Sequence, residues 1–387
     1  MRPLKIFILF FFDILIPKKQ GKYLFVSKKN VPYSNNLRAL CDYTAQNKQD
    51  NDEIYLFHEG YISEKTKEFL KKQNITLLDQ FNIKNIKKIV SCSNIILSHS
   101  IRDAYITYNS KKRKIINVWH GAPIKRIENS MPFISNSKKR LIKHNAELYD
   151  ILIASSDIDR LAITSSFAVD FQKVKLTGLP RYDYLFKNHS FSPDIEEEIQ
   201  TILKAVNNKK FILYAPTFRE NNISPLESLT TEEWREIENF LKQHNAVLGI
   251  RPHSYDNTNL SFLKSDHFID CSFRKISEPN ALLRYTDLLI VDFSSIWIDY
   301  LLLNRPIHFF SKDLDTYQTK ERDFLYDFKK IIPAPLEQNI SGLLNQLNNT
   351  FENNLFEVNY TFQKMLFHQE ANSEFTKNTY KKVFNIE

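Results

Sequence analysis

The sequence predicts two α/β domains, each a parallel sheet covered by helices on both faces, and three observations carry that prediction. The chain has 387 residues, more than one core ordinarily serves. Short apolar runs alternate with polar, helix-like stretches along most of it. The alternation thins between about Tyr184 and Lys209 and then begins again. With 42% hydrophobic residues, 30 Phe and 18 Tyr, there is apolar surface enough to offset chain entropy, which excludes a disordered protein.

The elements follow in order. Residues 1–20 are an apolar and basic segment, in which the run Ile6 to Ile16 is broken by Asp13 and followed by lysines. It falls short of the about 20 apolar residues that span a bilayer. It also lacks the small-residue cleavage site of a secretory signal. Two readings remain, a helix packed on the protein body or one lying in the membrane interface. Residues 21–190 form the first domain, with strands at "KYLFVS", "EIYLFHEG", "ITLLD", "NIILSHS", "KIINVWHG", "DILIAS" and "KVKLTG" and helices between them. Residues 205–335 form the second, with strands at "KFILYAPTFRE", "AVLGIRPHS", "HFIDC" and "LLIVDF". Its first long helix opens on a capping box, Thr230 with Glu233. Residues 336–387 read as C-terminal helices rich in Asn and Phe.

The net charge is +8, and the basic residues cluster at Lys18-Lys19-Gln20-Gly21-Lys22, at Lys111-Lys112-Arg113-Lys114 and at Lys138-Lys139-Arg140. Such clusters suit anionic lipid, nucleic acid or phosphorylated substrates, or are simply a solvated lysine face; a non-catalytic basic protein that binds membrane or nucleic acid would leave the strand-end His and Arg residues unexplained. Three separated cysteines, Cys41, Cys92 and Cys271, exclude a disulfide framework and a zinc site. A reducing cytoplasm is the expected compartment, with peripheral attachment to the inner face of the cell membrane. No cofactor and no metal is expected, because no cluster of carboxylates marks a Mg²⁺ site.

Only six residues are glycine, and neither GxGxxG nor GxxxxGK[ST] occurs, so a glycine-rich phosphate loop is excluded. Two of the six stand directly after apolar strands, where ligands approach an open α/β sheet: Gly121 in "NVWHGAPIKRI" and Gly178 in "KLTGLPRYDYL". Each is expected to permit a tight turn or a positive φ. The first turn would lift His120 to the sheet edge, and the second would point Arg181 and Asp183 outward. In the second domain, strands end on Thr217 and Arg219 and on Arg251 and His253. In "LLIVDFSSIWIDYLLLN", Ser294 and Ser295 stand between a buried strand and a helix, where free N–H groups and the helix dipole favour an anion. Asp299, a turn further on, would accept from a ribose hydroxyl. The plainer reading is that Ser294 caps the helix.

The motifs "VWHGAPIKRI", "LTGLPRYDYLF", "LYAPTFRE", "IRPHS" and "IVDFSSIWIDYLLLNRPIHFF", in this order and spacing, resemble the CDP-glycerol glycerophosphotransferase family of wall teichoic acid and capsule enzymes. The early "KYLFVSKKNVPYSNNLRAL" is also similar, and the resemblance runs from about residue 20 to 335. It implies a GT-B fold of two Rossmann-like domains facing a cleft, and transfer of a polyol phosphate from a CDP-activated donor with release of CMP. The implied acceptor is a lipid-linked saccharide or a polysaccharide, and nucleic acid is not an implied partner. By motif, His120 is the candidate base and His253 acts as an imidazolium on the leaving phosphate. Gly121, Lys125, Arg181, Thr217, Arg219, Arg251, Ser294, Ser295 and Asp299 are the candidate substrate contacts. Ala122, Phe293 and Ser254 depart from the family pattern, at positions where Thr, Tyr and Pro are usual. The alternative is a glycosyltransferase of the same fold that uses a nucleotide sugar.

Overall fold

The computed structural model describes residues 2–29, 31–107, 112–219, 224–253, 256, 260, 264–321, 323–369 and 374–386. Lys111 of the second basic cluster and Ser254 lie outside these. The chain divides into two compact units, one of Met1–Ala122, Ile127–Asp183 and Phe367–Glu387, the other of Pro123–Arg126 and Tyr184–Leu366.

The first unit is built on seven strands: β1 (Lys19–Val26), β2 (Glu53–Phe57), β3 (Ile75–Leu78), β4 (Cys92–Leu97), β5 (Lys114–Asn117), β6 (Ile151–Ala154) and β7 (Val174–Leu176). All pair in parallel, in the order β3-β2-β1-β4-β5-β6-β7. Helices on both faces bury strand residues of either parity: Leu24, Phe25, Ile95, Ile96, Ile115 and Ile116 are fully buried. That is why the strands read as unbroken apolar runs.

The second unit repeats the plan with six: β8 (Lys210–Ala215), β9 (Ala246–Ile250), β10 (Phe268–Asp270), β11 (Leu288–Val291), β12 (Ile307–Phe310) and β13 (Leu336–Glu337). The order is β10-β9-β8-β11-β12-β13, again parallel throughout. In both units the order reverses beside the first strand, and such switch points are where open α/β sheets take ligands, outside the carboxyl ends of the strands. The helix Thr231–Gln243 carries the expected capping box, with Thr230 and Glu233 each satisfying the other's backbone N–H.

The segment 336–387, expected as C-terminal helices, contributes to both units. It supplies β13 and the helix Ile340–Glu352 to the second, and its last helix, Phe375–Phe384, returns to the first. Asp183 draws it there by accepting the N–H groups of Phe375 and Thr376, both at 2.9 Å.

The N-terminal segment forms the helix Arg2–Leu15, one side of which packs on the protein body. Leu9 is 1% exposed, and Ile8 and Phe12 pack beside it on the core. Asp13 is buried and accepts from both terminal nitrogens of Arg113 and from Lys18. Lys18 and Arg113, expected in exposed basic clusters, are therefore interior residues: a carboxylate buried in the helix must be neutralised, and several charge-assisted hydrogen bonds offset its lost hydration. On the side away from the core, Leu4, Phe7, Ile14 and Leu15 are each more than 60% exposed. Among the described residues no helix is long and apolar enough to cross a membrane.

Candidate active site

Polar residues collect at the carboxyl ends of the strands in each unit, and the two groups are held in different ways.

In the first unit β5 ends at Asn117, and the chain turns sharply through Trp119 and Gly121. Trp119 takes φ +45°, a conformation that is strained for a bulky side chain. Two amides hold it there. Asn117 Oδ1 accepts the Trp119 N–H at 2.9 Å, and the buried Asn36 Nδ2 donates to the carbonyls of Val118 (2.9 Å) and Trp119 (3.2 Å). Gly121 takes φ +146°, and a Cβ there would come within 2.9 Å of the Arg181 guanidinium. Arg181 uses that space to donate to the His120 carbonyl and to Asn35 Oδ1 (3.3 Å). Gly178 (φ +69°) makes room in the same way for the ring of Phe375, which a Cβ would meet at 2.2 Å. Arg181 and Asp183, expected to point outward, are 5% and 7% exposed. Gly121 opens space that Arg181 fills and Gly178 space that Phe375 fills, and the charges of Arg181 and Asp183 go largely to backbone groups instead of solvent.

His120 is half-buried, with Nδ1 3.2 Å from the Ser98 carbonyl oxygen. A carbonyl only accepts, so this contact assigns the ring proton to Nδ1 and leaves a lone pair on Nε2. The ring also stacks on His99, with centroids 4.2 Å apart and planes 16° apart, and lies 3.9 Å from the Trp119 ring.

In the second unit the junction after β11 is organised by Asp292, which is fully buried. Its carboxylate accepts the Thr217 N–H (2.9 Å), the Thr217 hydroxyl (2.7 Å), the Phe293 N–H (2.5 Å) and the Arg219 guanidinium (2.9 Å). It thereby ties the end of β8 to the end of β11. Arg219 also makes a bidentate pair with Asp313, at 2.7 and 2.9 Å, and lies over the rings of Phe293 and Tyr317. Burial opposes its charge, but the two carboxylates outweigh burial and raise its pKa. Phe293 thus fills its position as a ring under the guanidinium.

The tetrapeptide Pro123–Arg126 belongs to this unit. Lys125 pairs antiparallel with Phe324, and its Nζ reaches to 3.5 Å from Thr217 Oγ1 and 5.1 Å from the Tyr317 ring centroid. Lys125, Thr217 and Arg219 are thus neighbours, as are Arg219 and Asp292. Arg251 donates to the carbonyls of Cys271 (2.9 Å) and Ile276 (3.0 Å). His253 keeps an exposed edge and lies 6.0 Å from the Phe218 ring. Desolvation, and after it the Lys125 ammonium, push its pKa down in the ligand-free chain.

Two further expectations change. The helix after Ser294-Ser295 is short, Ile296–Tyr300 followed by a 3₁₀ turn at Leu301–Leu303, because Asn304 turns the chain at φ +54°. Its dipole is correspondingly small, and the argument for an anion there rests on the hydroxyls and neighbouring cations. Ser295 makes no capping bond, whereas Ser294 Oγ accepts the Ile296 N–H in a long hydrogen bond of 3.5 Å, as the plainer reading of that serine expects. Asp299 is 1% exposed and accepts from Asn280 Nδ2 at 3.0 Å, so a ribose contact would require that pair to open.

Sequence reasoning did not find Asn36, Asn117, His99 or Asp313. Asparagine is too common in this chain to stand out. His99, however, follows β4 as His120 follows β5, and that parallel is legible in "LSHS" beside "VWHG".

Two parallel, doubly wound units thus carry cationic and imidazole groups at the carboxyl ends of their strands, the architecture of the two-domain GT-B fold. The sequence profile of the CDP-glycerol:poly(glycerophosphate) glycerophosphotransferase family matches residues 8–385, and the chain belongs to that family. It is 30% identical over 343 residues to a teichoic acid poly(ribitol-phosphate) polymerase of Bacillus spizizenii, covering 84% of this chain and 51% of that one. It is 25% identical over 345 residues to a teichoic acid poly(glycerol phosphate) polymerase of the same organism, covering 87% and 85%. The chain therefore spans about half the length of the first relative and most of the second. A solved structure of a variant of the wall teichoic acid polymerase TagF, soaked with CDPG, shares the fold with a TM-score of 0.76 at 20% identity, covering 99% of this chain and 93% of that chain.

Proposed function

We propose that this chain transfers glycerol phosphate, or another polyol phosphate, from a CDP-activated donor to an acceptor hydroxyl and releases CMP. The observation that best supports this is the His120 ring, held with its proton on Nδ1 and a basic Nε2. An acceptor alcohol is far too weak an acid to react unaided at pH 7, and an imidazole lone pair suits the task of removing its proton as attack proceeds. The alcohol oxygen bonds to the phosphorus that bears the polyol, its proton passes to His120 Nε2, and the bond to the CMP oxygen breaks.

The donor diphosphate is assigned to the second unit. Lys125, Thr217, Arg251, His253, Ser294 and Ser295 supply its contacts. Asp292 and Asp313 occupy Arg219, so the cationic contacts to the diphosphate are assigned to Lys125 and Arg251. A bound diphosphate raises the proton affinity of His253, which then protonates and offsets charge gathering on the departing CMP. Gly121 and Arg181 hold the His120 turn, and Asp299 supports the second site from within.

The acceptor is a lipid-linked saccharide or a polysaccharide, reached from the cytoplasmic face of the membrane. Supporting this are the exposed Leu4, Phe7, Phe11, Ile14 and Leu15 on a helix whose other side is anchored through Asp13. Replacing Phe7 and Phe11 by Ser should abolish flotation with phosphatidylglycerol vesicles and leave transfer to a water-soluble acceptor unchanged.

The test of the reaction is product mass. The protein should be incubated with CDP-glycerol, CDP-ribitol and candidate acceptors, and the products weighed. CMP with an acceptor heavier by one polyol phosphate is expected. Release of UDP from a UDP-sugar, with the CDP-polyols untouched, would favour a glycosyltransferase.

A further inference from the structure

The geometry points to His99 as a positioning residue for His120: its imidazole, stacked flat on the His120 ring, holds that ring in the plane where Nδ1 donates to the Ser98 carbonyl and Nε2 faces the acceptor. This inference rests on the reading of His120 as the base.

Three features join the segment after β4 to the turn after β5. The His120 Nδ1–H donates to the Ser98 carbonyl at 3.2 Å. Asn117 Nδ2 donates to the His99 carbonyl at 2.7 Å. The two imidazoles lie 4.2 Å apart between centroids, only 16° from parallel. His99 is itself fixed, because its Nδ1 lies 3.0 Å from the Ser98 hydroxyl. Ser98 therefore serves both rings, one through its carbonyl and the other through its side chain, and it is buried.

The 3.2 Å hydrogen bond and the Trp119 ring, tilted by 40° at 3.9 Å, also touch this half-buried ring, and His99 adds a partner that lies flat on it and opposes its turning. A neutral imidazole in water places its proton mainly on Nε2, the tautomer that is useless to a base acting through Nε2. The Ser98 carbonyl reverses that preference only while the ring stays in plane. A flat partner of the same size supplies this restraint, and it must be neutral, since two imidazoliums in face contact would repel. Desolvation, then His120 and Lys28, hold the His99 pKa well below the usual imidazole range, which favours the neutral ring. The charged groups nearby are Lys28, beyond the end of β1, and Arg181, whose guanidinium goes to the His120 carbonyl.

The test compares His99→Ala, His99→Phe and His120→Ala with the full chain, using steady-state kinetics with CDP-glycerol and ¹⁵N NMR of histidine-labelled protein. In the wild type, the His120 nitrogens should report a proton on Nδ1. In His99→Ala the signals should move toward the Nε2–H tautomer, with kcat reduced roughly 10- to 100-fold and KM for the donor unchanged. In His99→Phe, a flat ring that cannot titrate, kcat should return to within about fivefold of wild type. If His99→Ala keeps both the Nδ1–H signature and wild-type kcat, the inference is overturned. If Phe folds, as judged by its melting temperature, yet is as slow as Ala, stacking is not the device. Should Phe not fold, the tautomer in His99→Ala decides alone. His120→Ala separates the two readings: activity retained there refutes the base assignment, while the tautomer shift in His99→Ala still reports the positioning.

Discussion

The two units share one topology and one use of it, polar groups at the carboxyl ends of parallel strands, yet they stabilise those groups by opposite means. The first unit holds the His120 ring with neutral partners, the Ser98 carbonyl and a flat imidazole, and its turn with the Asn36 and Asn117 amides and the Arg181 guanidinium, whose charge goes to the His120 backbone carbonyl. The second holds its site with charge, a buried Arg219 between Asp292 and Asp313. The difference matches what each is proposed to do. A base must keep an accessible lone pair near pH 7, and a fixed charge beside it would move its pKa away from that range. An anion site gains from charge, provided its own carboxylates are already neutralised, and Arg219 neutralises them.

The largest effect that would break this comparison is in stability. Replacing Asp292 by Ala leaves Arg219 with only the partly exposed Asp313 and strips Thr217 of its acceptor. Loss of one partner of a buried ion pair costs about 3–5 kcal/mol, so the melting temperature should fall by many degrees. The neutral first site should respond less to a comparable loss. Asn36→Ala removes three backbone contacts, to the Val118 and Trp119 carbonyls and the Arg181 N–H, and leaves no unpaired charge, so about 1–3 kcal/mol is expected by denaturant titration.

Gly178→Ala sharpens the contrast next, because its cost is steric. The new methyl must displace the Phe375 ring at a residue with φ +69°, and a loss of about 1–3 kcal/mol should appear in thermal melts. Gly121→Ala meets the end of a long side chain, so it should reach activity through Arg181 before it reaches stability.

Smaller still is the response to acid, in which two aspartates should act with opposite sign. Burial holds the Asp183 carboxyl above its usual range, against its backbone hydrogen bonds. Folded protein then binds that proton more readily than unfolded chain, so Asp183 costs stability at neutral pH and relieves that cost on acidification. Asp313 is partly buried, which raises its pKa, but the bond to Arg219 prevails and lowers it. Its contribution is present above the unfolded pKa, 3.8, and disappears as pH falls through the folded value. Asp313→Asn should therefore flatten, and Asp183→Asn steepen, the loss of stability measured between about pH 5 and pH 3.

What the sequence disclosed follows the same division. Strands buried on both faces advertise themselves as apolar runs, so both sheets and the strand-end residues His120, Thr217, Arg251 and His253 were legible. Gly121 and Gly178 were legible as backbone requirements, and both take positive φ. What the side chains do was less so, because it depends on distant partners. Arg181 and Asp183 look like solvent-facing charges until Gly121 and Phe375 are in place. Lys18 and Arg113 look like parts of basic patches until Asp13 is buried between them. His99 is an ordinary histidine until two strand ends are brought side by side.

Single-turnover transfer from CDP-glycerol, measured together with donor binding for the wild type and His120→Ala, tests the central claim most directly. The account predicts that the variant binds CDP-glycerol within about threefold of wild type, while CMP release slows by at least about a hundredfold. A variant that still releases CMP within about tenfold of the wild-type rate would contradict it.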